Sequence, residues 1–122
     1  MLFDTGSWWT WVPVSECPMT QCPRQKFNHY GSSTFSNLKK EVQVHYGTGA
    51  VNSNLVNDFI SITQNKLKNT GAKMNFLAVK SAKSLYSLHS DGILGLSPKK
   101  PSETDNIDLF ITQMKNYGII KK

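Results

Sequence analysis

The chain has 122 residues, room for one small domain rather than two. Hydrophobic residues at 39% and charged residues at 18% exclude a disordered chain and suit a globular one. The net charge of +6 rests on 14 scattered basic residues, among them the lysines from Lys39 to Lys122, with no basic block interleaved with aromatics, which argues against a nucleic-acid binder.

The first element is "LFDTGS" at 2–7. A carboxylate directly after apolar Leu2 and Phe3 is costly to bury without partners. Gly6 lets another backbone approach closely. The hydroxyls of Thr5 and Ser7 can bond into a tight turn. The stretch is suited to holding Asp4 in one pose, although the tripeptide alone also reads as an ordinary Asx-turn. "WWTWVP" at 8–13 is aromatic and β-branched and predicts a strand that Pro13 ends. Residues 14–37 are rich in Ser, Pro, Asn and Gly and predict a loop with one short helical turn.

Within that loop lie the two cysteines, Cys17 and Cys22, in "ECPMTQCP". A zinc site needs about four ligands, and His29, His45 and His89 supply no second cluster, so no metal is expected. The short spacing, with a proline after each cysteine, suits a small disulfide loop; two reduced thiols are the alternative. A disulfide would imply an oxidising compartment.

"EVQVHY" at 41–46 alternates cleanly, with Val42, Val44 and Tyr46 on one face and Glu41, Gln43 and His45 on the other. "GTG" at 47–49 and a second apolar stretch at 50–62 then predict a long β-hairpin with a glycine-rich tip. Residues 65–73 are polar and predict a turn. "MNFLAVK" at 74–80 predicts a strand, and so does "DGILGL" at 91–96, whose glycines suggest close backbone approach. Residues 98–104 predict a loop. Asp105 is placed to cap a helix carrying Ile107, Phe110, Ile111 and Met114 on one face, with Gly118 as its stop. The sum is mostly β with one C-terminal amphipathic helix. No apolar run reaches the roughly 18–20 residues of a membrane span, and no signal peptide is visible.

Four signals stand in order: "LFDTGSWWTWVP", "CPMTQC", "VHYGTGA" and "DGILGLS", with "SSTF" at 32–35 between them. Together they resemble the N-terminal lobe of the pepsin-like aspartic proteases (peptidase family A1). The resemblance runs over residues 1–122 and is weakest at 63–90. It implies a partial first lobe of a bilobal acid-protease fold, truncated at both ends, with a flap hairpin. It also implies an aspartic endopeptidase that needs no cofactor and takes protein or peptide substrates. The compartment it implies is the secretory pathway, an acidic lysosome- or vacuole-like organelle, or the extracellular space.

Position by position, the resemblance makes Asp4 the catalytic aspartate of the first lobe. Thr5 would bond across to the second lobe, Gly6 would keep the active-site loops close, and Ser7 would bond the outer oxygen of Asp4. Tyr46, Gly47 and Thr48 correspond to the flap over the substrate, and Trp11 to the tryptophan that bonds the flap tyrosine. Cys17 and Cys22 match the family's first small disulfide loop. Gly95 matches the glycine under the catalytic loop. Leu2, Leu85 and Ile93 correspond to walls of the pocket beside the scissile bond. Asp91 lacks the Asp-Thr-Gly frame and reads as a turn carboxylate; His45 and His89 read as surface residues.

The chain departs from the family pattern in several places. Ser53 and Asn57 stand where the family usually has glycine, and Ser84 falls near a position usually held by a large aromatic. Most of the family is acidic and this chain is basic. A second Asp-Thr-Gly or Asp-Ser-Gly is absent from these residues. A lone carboxylate can act as a base, but nothing stands opposite as the acid, so a missing C-terminal lobe is the expected partner and the isolated chain is expected to be inactive. A non-catalytic peptide-binding or inhibitor-like relative, and a self-pairing retroviral-type protease, are the other readings.

Overall fold

A computed structural model describes residues 1–46, 49–61, 71–84, 90–98 and 109–118. In chain order the elements are β1 (Leu2–Asp4), β2 (Trp11–Pro13), a 3-10 turn at His29–Gly31, β3 (Ser36–His45), β4 (Ala50–Ile60), β5 (Ala72–Lys83), β6 (Ile93–Gly95) and α1 (Phe110–Asn116). One mixed six-stranded sheet holds all the strands, in the order β1-β6-β2-β5-β4-β3. This is the mostly β architecture of a partial pepsin-like lobe.

β5 is the hub. It pairs antiparallel with β4 and parallel with β2. Phe76, Leu77, Ala78 and Val79 are all buried, as expected of a strand covered on both faces. The long hairpin of β3 and β4 runs from His45↔Ala50 to Ser36↔Asn57, with a bulge between Asn37 and Lys40. The expected alternation holds: Val42, Val44 and Tyr46 are half-buried, while Glu41, Gln43 and His45 are exposed. Ser53 is buried and its hydroxyl donates to the carbonyl of Val42 at 2.7 Å. A side chain thus adds a cross-strand bond where glycine would add none. Asn57 Nδ2 likewise donates to Asn75 Oδ1 at 2.7 Å, joining β4 to β5.

Alternation sorts the apolar side chains onto two faces. Trp9, Trp11, Val51, Leu55, Leu77, Val79 and Ile93 pack on one, with Tyr46, Val42 and Val44 against them. Val14, Val56, Phe76 and Ala78 pack on the other. There Ala72 and Met74 receive Phe110 and Met114 of α1. Gln113 fixes the helix to β5: its Oε1 accepts from Asn75 N at 2.7 Å and its Nε2 donates to Asn75 O at 3.1 Å. Gly118 takes φ +87° and ends the helix as predicted.

Three expectations need correction, and some lie outside the described residues. Of the strand predicted at 8–13, only Trp11–Pro13 is one, because the backbone of residues 8 and 9 is pressed against β6. β3 begins at Ser36, inside the predicted loop, where it pairs with Asn57. Ile111 is 47% exposed, so the buried helical stripe is Phe110 and Met114. Ile107, Asp105, His89, Leu85 and residues 65–70 of the predicted turn lie outside the described residues, while Ala72 and Lys73 at its end already belong to β5.

A buried carboxylate ties the loop before β3 to the sheet. Asp58 is 4% exposed. Its Oδ2 accepts from the Ser32 hydroxyl at 2.6 Å, and its Oδ1 accepts from the Thr34 hydroxyl and from Phe59 N, the latter at 2.7 Å. Burial alone would raise its pKa. The hydrogen bonds from Ser32, Thr34 and Phe59 N–H, with the Lys73 charge, outweigh burial and hold the carboxyl below its ordinary value. A depressed folded pKa gives stability that is complete above the unfolded value of about 4 and is lost as pH falls through the folded one. Urea midpoints should therefore drop more steeply for wild type than for Asp58→Asn across the acid range. Asp58→Ala should cost about 3 kcal/mol at neutral pH, by stripping three donors of their acceptor.

Candidate active site

Asp4 ends β1, and its register partner across the parallel pair is Gly95 of β6. The backbone is fixed first. Asp4 O accepts from Leu96 N at 2.9 Å and from Ser7 N at 3.3 Å, and Ser7 O accepts from Ser97 N at 3.0 Å. The carboxylate is fixed next. Oδ1 accepts from Gly6 N at 2.9 Å, and Oδ2 accepts from the Ser7 hydroxyl. Gly6 suits this turn because a Cβ there would sit 3.3 Å from Asp4 Oδ1. Thr5 is exposed at the apex.

β6 lies against residues 8 and 9. A Cβ on Gly95 would come 2.5 Å from Trp9 O and 2.8 Å from Trp8 C. In that space the amide of Gly95 donates to the hydroxyl of Thr10 at 3.0 Å. Thr10 is 7% exposed. The sequence reading missed it, although a single hydroxyl among tryptophans facing a glycine strand was the available signal.

The hairpin reaches the same point from the other side. Tyr46 follows β3, and its hydroxyl accepts from Trp11 Nε1 at 2.6 Å. Tyr46 and Gly49 close the turn through Tyr46 N to Gly49 O at 2.7 Å and Gly49 N to Tyr46 O at 3.2 Å. Burial raises the pKa of the Tyr46 phenol; its hydrogen bonds with Trp11 and Ser7 oppose this, and the Asp4 charge adds to the rise. Ser7 thus joins the phenol to the carboxylate, giving a line of contacts Trp11–Tyr46–Ser7–Asp4.

The structure brings together Asp4, Gly6, Ser7, Trp11 and Tyr46. Leu2 and Ile93 are register partners; Leu2 is 44% exposed, while Ile93, at 4%, belongs to the core under Trp9 and Trp11. Leu85, Gly47 and Thr48 lie outside the described residues. Cys17 and Cys22 form a disulfide, and both are buried beside the tryptophans. Gln21 Oε1 accepts from Ala82 N at 3.1 Å, which docks the disulfide loop on β5. An apolar cavity of about 440 Å³, lined by Phe3, Val12, Phe27, Phe76, Leu94 and Phe110 among others, belongs to the other face of the sheet.

A carboxylate held on both oxygens, with a tyrosine nearby at the base of a hairpin, is a fixed proton acceptor at the end of β1. The model of the eukaryotic aspartyl protease family matches residues 1–122. The chain belongs to the aspartyl protease family. Chymosin of Bos taurus is 30% identical over 118 residues, covering 96% of this chain and 30% of its own length. Pepsin-3 of Oryctolagus cuniculus is 30% identical over 123 residues, covering 100% of this chain and 31% of its own length. Pregnancy-associated glycoprotein 2 of Sus scrofa is 35% identical over 98 residues, covering 80% and 23%. This aspartyl protease chain therefore spans less than a third of the length of these relatives. No helix among its described residues is long and apolar enough to cross a membrane.

Two substitutions test the support of the site. Gly95→Ala forces backbone against backbone, so β6 must part from residues 8 and 9; the expected loss is about 3 kcal/mol by urea denaturation. Tyr46→Phe removes the hydroxyl's hydrogen bonds with Trp11 and Ser7 while keeping the ring. It should cost about 1 kcal/mol and speed hydrogen exchange at the Trp11 indole, read by NMR.

Proposed function

We propose that this chain is the first lobe of a bilobal aspartic endopeptidase, and that Asp4 is one of two carboxylates that activate water for peptide-bond hydrolysis. The observation that carries this reading is the double hold on the Asp4 carboxylate by Gly6 N–H and the Ser7 hydroxyl, within reach of Tyr46. It is supported by the family and by the lengths of chymosin and pepsin-3, of which this chain covers less than a third.

Aspartic proteases work because two carboxylates about 3 Å apart cannot both ionise and so share one proton. The ionised member takes a proton from water as the water attacks the carbonyl carbon. The protonated member hydrogen-bonds the carbonyl oxygen. The nucleophile is water, so no covalent intermediate forms on the protein. Asp4 supplies one member, and a second lobe with its own framed aspartate supplies the other. The pair titrates as a unit, and activity needs it singly protonated, which favours an acidic compartment. Tyr46 and the hairpin hold the substrate over the carboxylates, and Thr5 at the apex faces the second lobe.

Alone, the chain should cleave no peptide at any pH. Combined with a second lobe, it should cleave denatured protein between large apolar residues at acidic pH, and a statine-type inhibitor should block this. Asp4→Asn should abolish cleavage with the melting curve preserved, because the amide keeps the shape but takes no proton. Tyr46→Ala should reduce the rate less, since the hairpin positions and does not move protons. Equal inhibitor-sensitive cleavage by wild type and Asp4→Asn would overturn the role of Asp4.

A further inference from the structure

β3 is the edge of the sheet opposite β1, and residues 36–41 are all exposed. The ladder with β4 is interrupted there: Asn37 pairs with Val56 and Lys40 with Leu55, which leaves Leu38 and Lys39 without register partners. Lys39 has φ +58°, in the left-handed region that non-glycine residues rarely adopt. The Asn37 side chain holds this turn by accepting from Lys39 N at 2.8 Å. Two adjacent lysines are thus presented on an exposed, bulged edge.

We propose that Lys39–Lys40 is a proteolytic processing site, cut in the folded protein by a trypsin-like protease selective for basic residues. Such enzymes bind their substrate as an extended strand and need its backbone and one basic side chain accessible. Leu38 and Lys39 stand outside the ladder with β4, so this short stretch can leave its bulged turn for the extended form while the rest of the sheet stays paired. Hydrolysis adds water across one amide, leaving a carboxylate on one side of the cut and an ammonium on the other.

The other basic residues described are less available. Lys73, Lys80 and Lys83 lie on β5, which β4 covers along its length. Lys26 Nζ is bonded to Cys17 O at 2.7 Å, and Arg24 lies between the disulfide and Phe27, whose amide bonds Pro13 O at 2.8 Å. Lys115 is within α1.

The products should stay together. β1 and β2 in the first piece pair with β6 and β5 in the second. The segment leading to Tyr46 would lose its chain connection to residues 36–39 and keep its ladder with β4 and the Tyr46–Trp11 bond, so the cut would loosen the base of the hairpin while the carboxylate turn stayed in place. This proposal does not depend on the catalytic reading.

The test is limited digestion of the folded 122-residue chain with trypsin, followed by mass spectrometry site by site at several urea concentrations. Cleavage at Lys39–Lys40 or Lys40–Glu41 from the folded state should change less than about twofold up to about 1 M urea. Cleavage that needs global unfolding should rise about tenfold. The nicked pieces should co-elute on gel filtration, and Lys39→Gln with Lys40→Gln should slow formation of the two-piece product at least about tenfold. A steep urea dependence at this site, or earlier cutting at Lys26, Lys73, Lys80 or Lys83, would overturn the proposal.

Discussion

The rest of the structure depends on the contact of β6 with the backbone of residues 8 and 9. β1 and β6 are three-residue strands, too short to hold a parallel pair by themselves. What fixes them is that β6 is wedged between β1 and β2, with Gly95 lying where any side chain would strike Trp9 O. The Thr10 hydroxyl takes the Gly95 amide, and the Asp4 carbonyl takes the Leu96 amide. One glycine therefore sets the height of the strand end on which the carboxylate stands. The turn residues then set only its direction.

Asp4 and Asp58 show how surroundings assign different work to one side chain. Both carboxylates have donors on both oxygens. Asp58 is 4% exposed and three donors meet it, two of them from 24 and 26 positions away, so its charge is spent on tying the 32–35 loop to β4. Asp4 is half-buried at the end of its strand, and its hydroxyl donor Ser7 also bonds Tyr46. A carboxylate fixed in pose and still open to solvent can meet water. One enclosed by the 32–35 loop cannot.

Much of this was legible in the sequence. Period-2 alternation gave the inner face of β3, and Gly118 marked the helix end. The four motifs carried the family and, through it, the Trp11–Tyr46 contact, which no local pattern encodes because the residues are 35 positions apart. The failures have a common cause. Trp8–Thr10 have strand propensity, but tertiary contact with β6 overrides it. Ser36 and Asn37 look like loop, but β4 offers them an edge to pair with. Ile111 fits the helical stripe by spacing, but α1 turns Phe110 and Met114 toward Ala72 and Met74 and leaves Ile111 facing solvent. Thr10 was missed because hydroxyl-to-amide bonds across 85 positions leave no periodic trace.

The two faces of the sheet are unequally finished, and the difference bears on function. Beneath the hairpin, β2, β4, β5, β6 and the disulfide close a core whose tryptophans, Trp9 and Trp11, are nearly inaccessible. On the other face an apolar cavity of about 440 Å³ stays open beside Phe3, which is itself 70% exposed. The line from Trp11 to Asp4 springs from the closed face and needs nothing from the open one. The pose of the carboxylate is thus a local property, secured by this chain's own packing. Proton sharing is a different kind of property, because it exists only between two carboxylates. On the proposed reading, packing within one lobe sets the pose of its carboxylate, while the chemistry waits on a counterpart brought within a few ångströms.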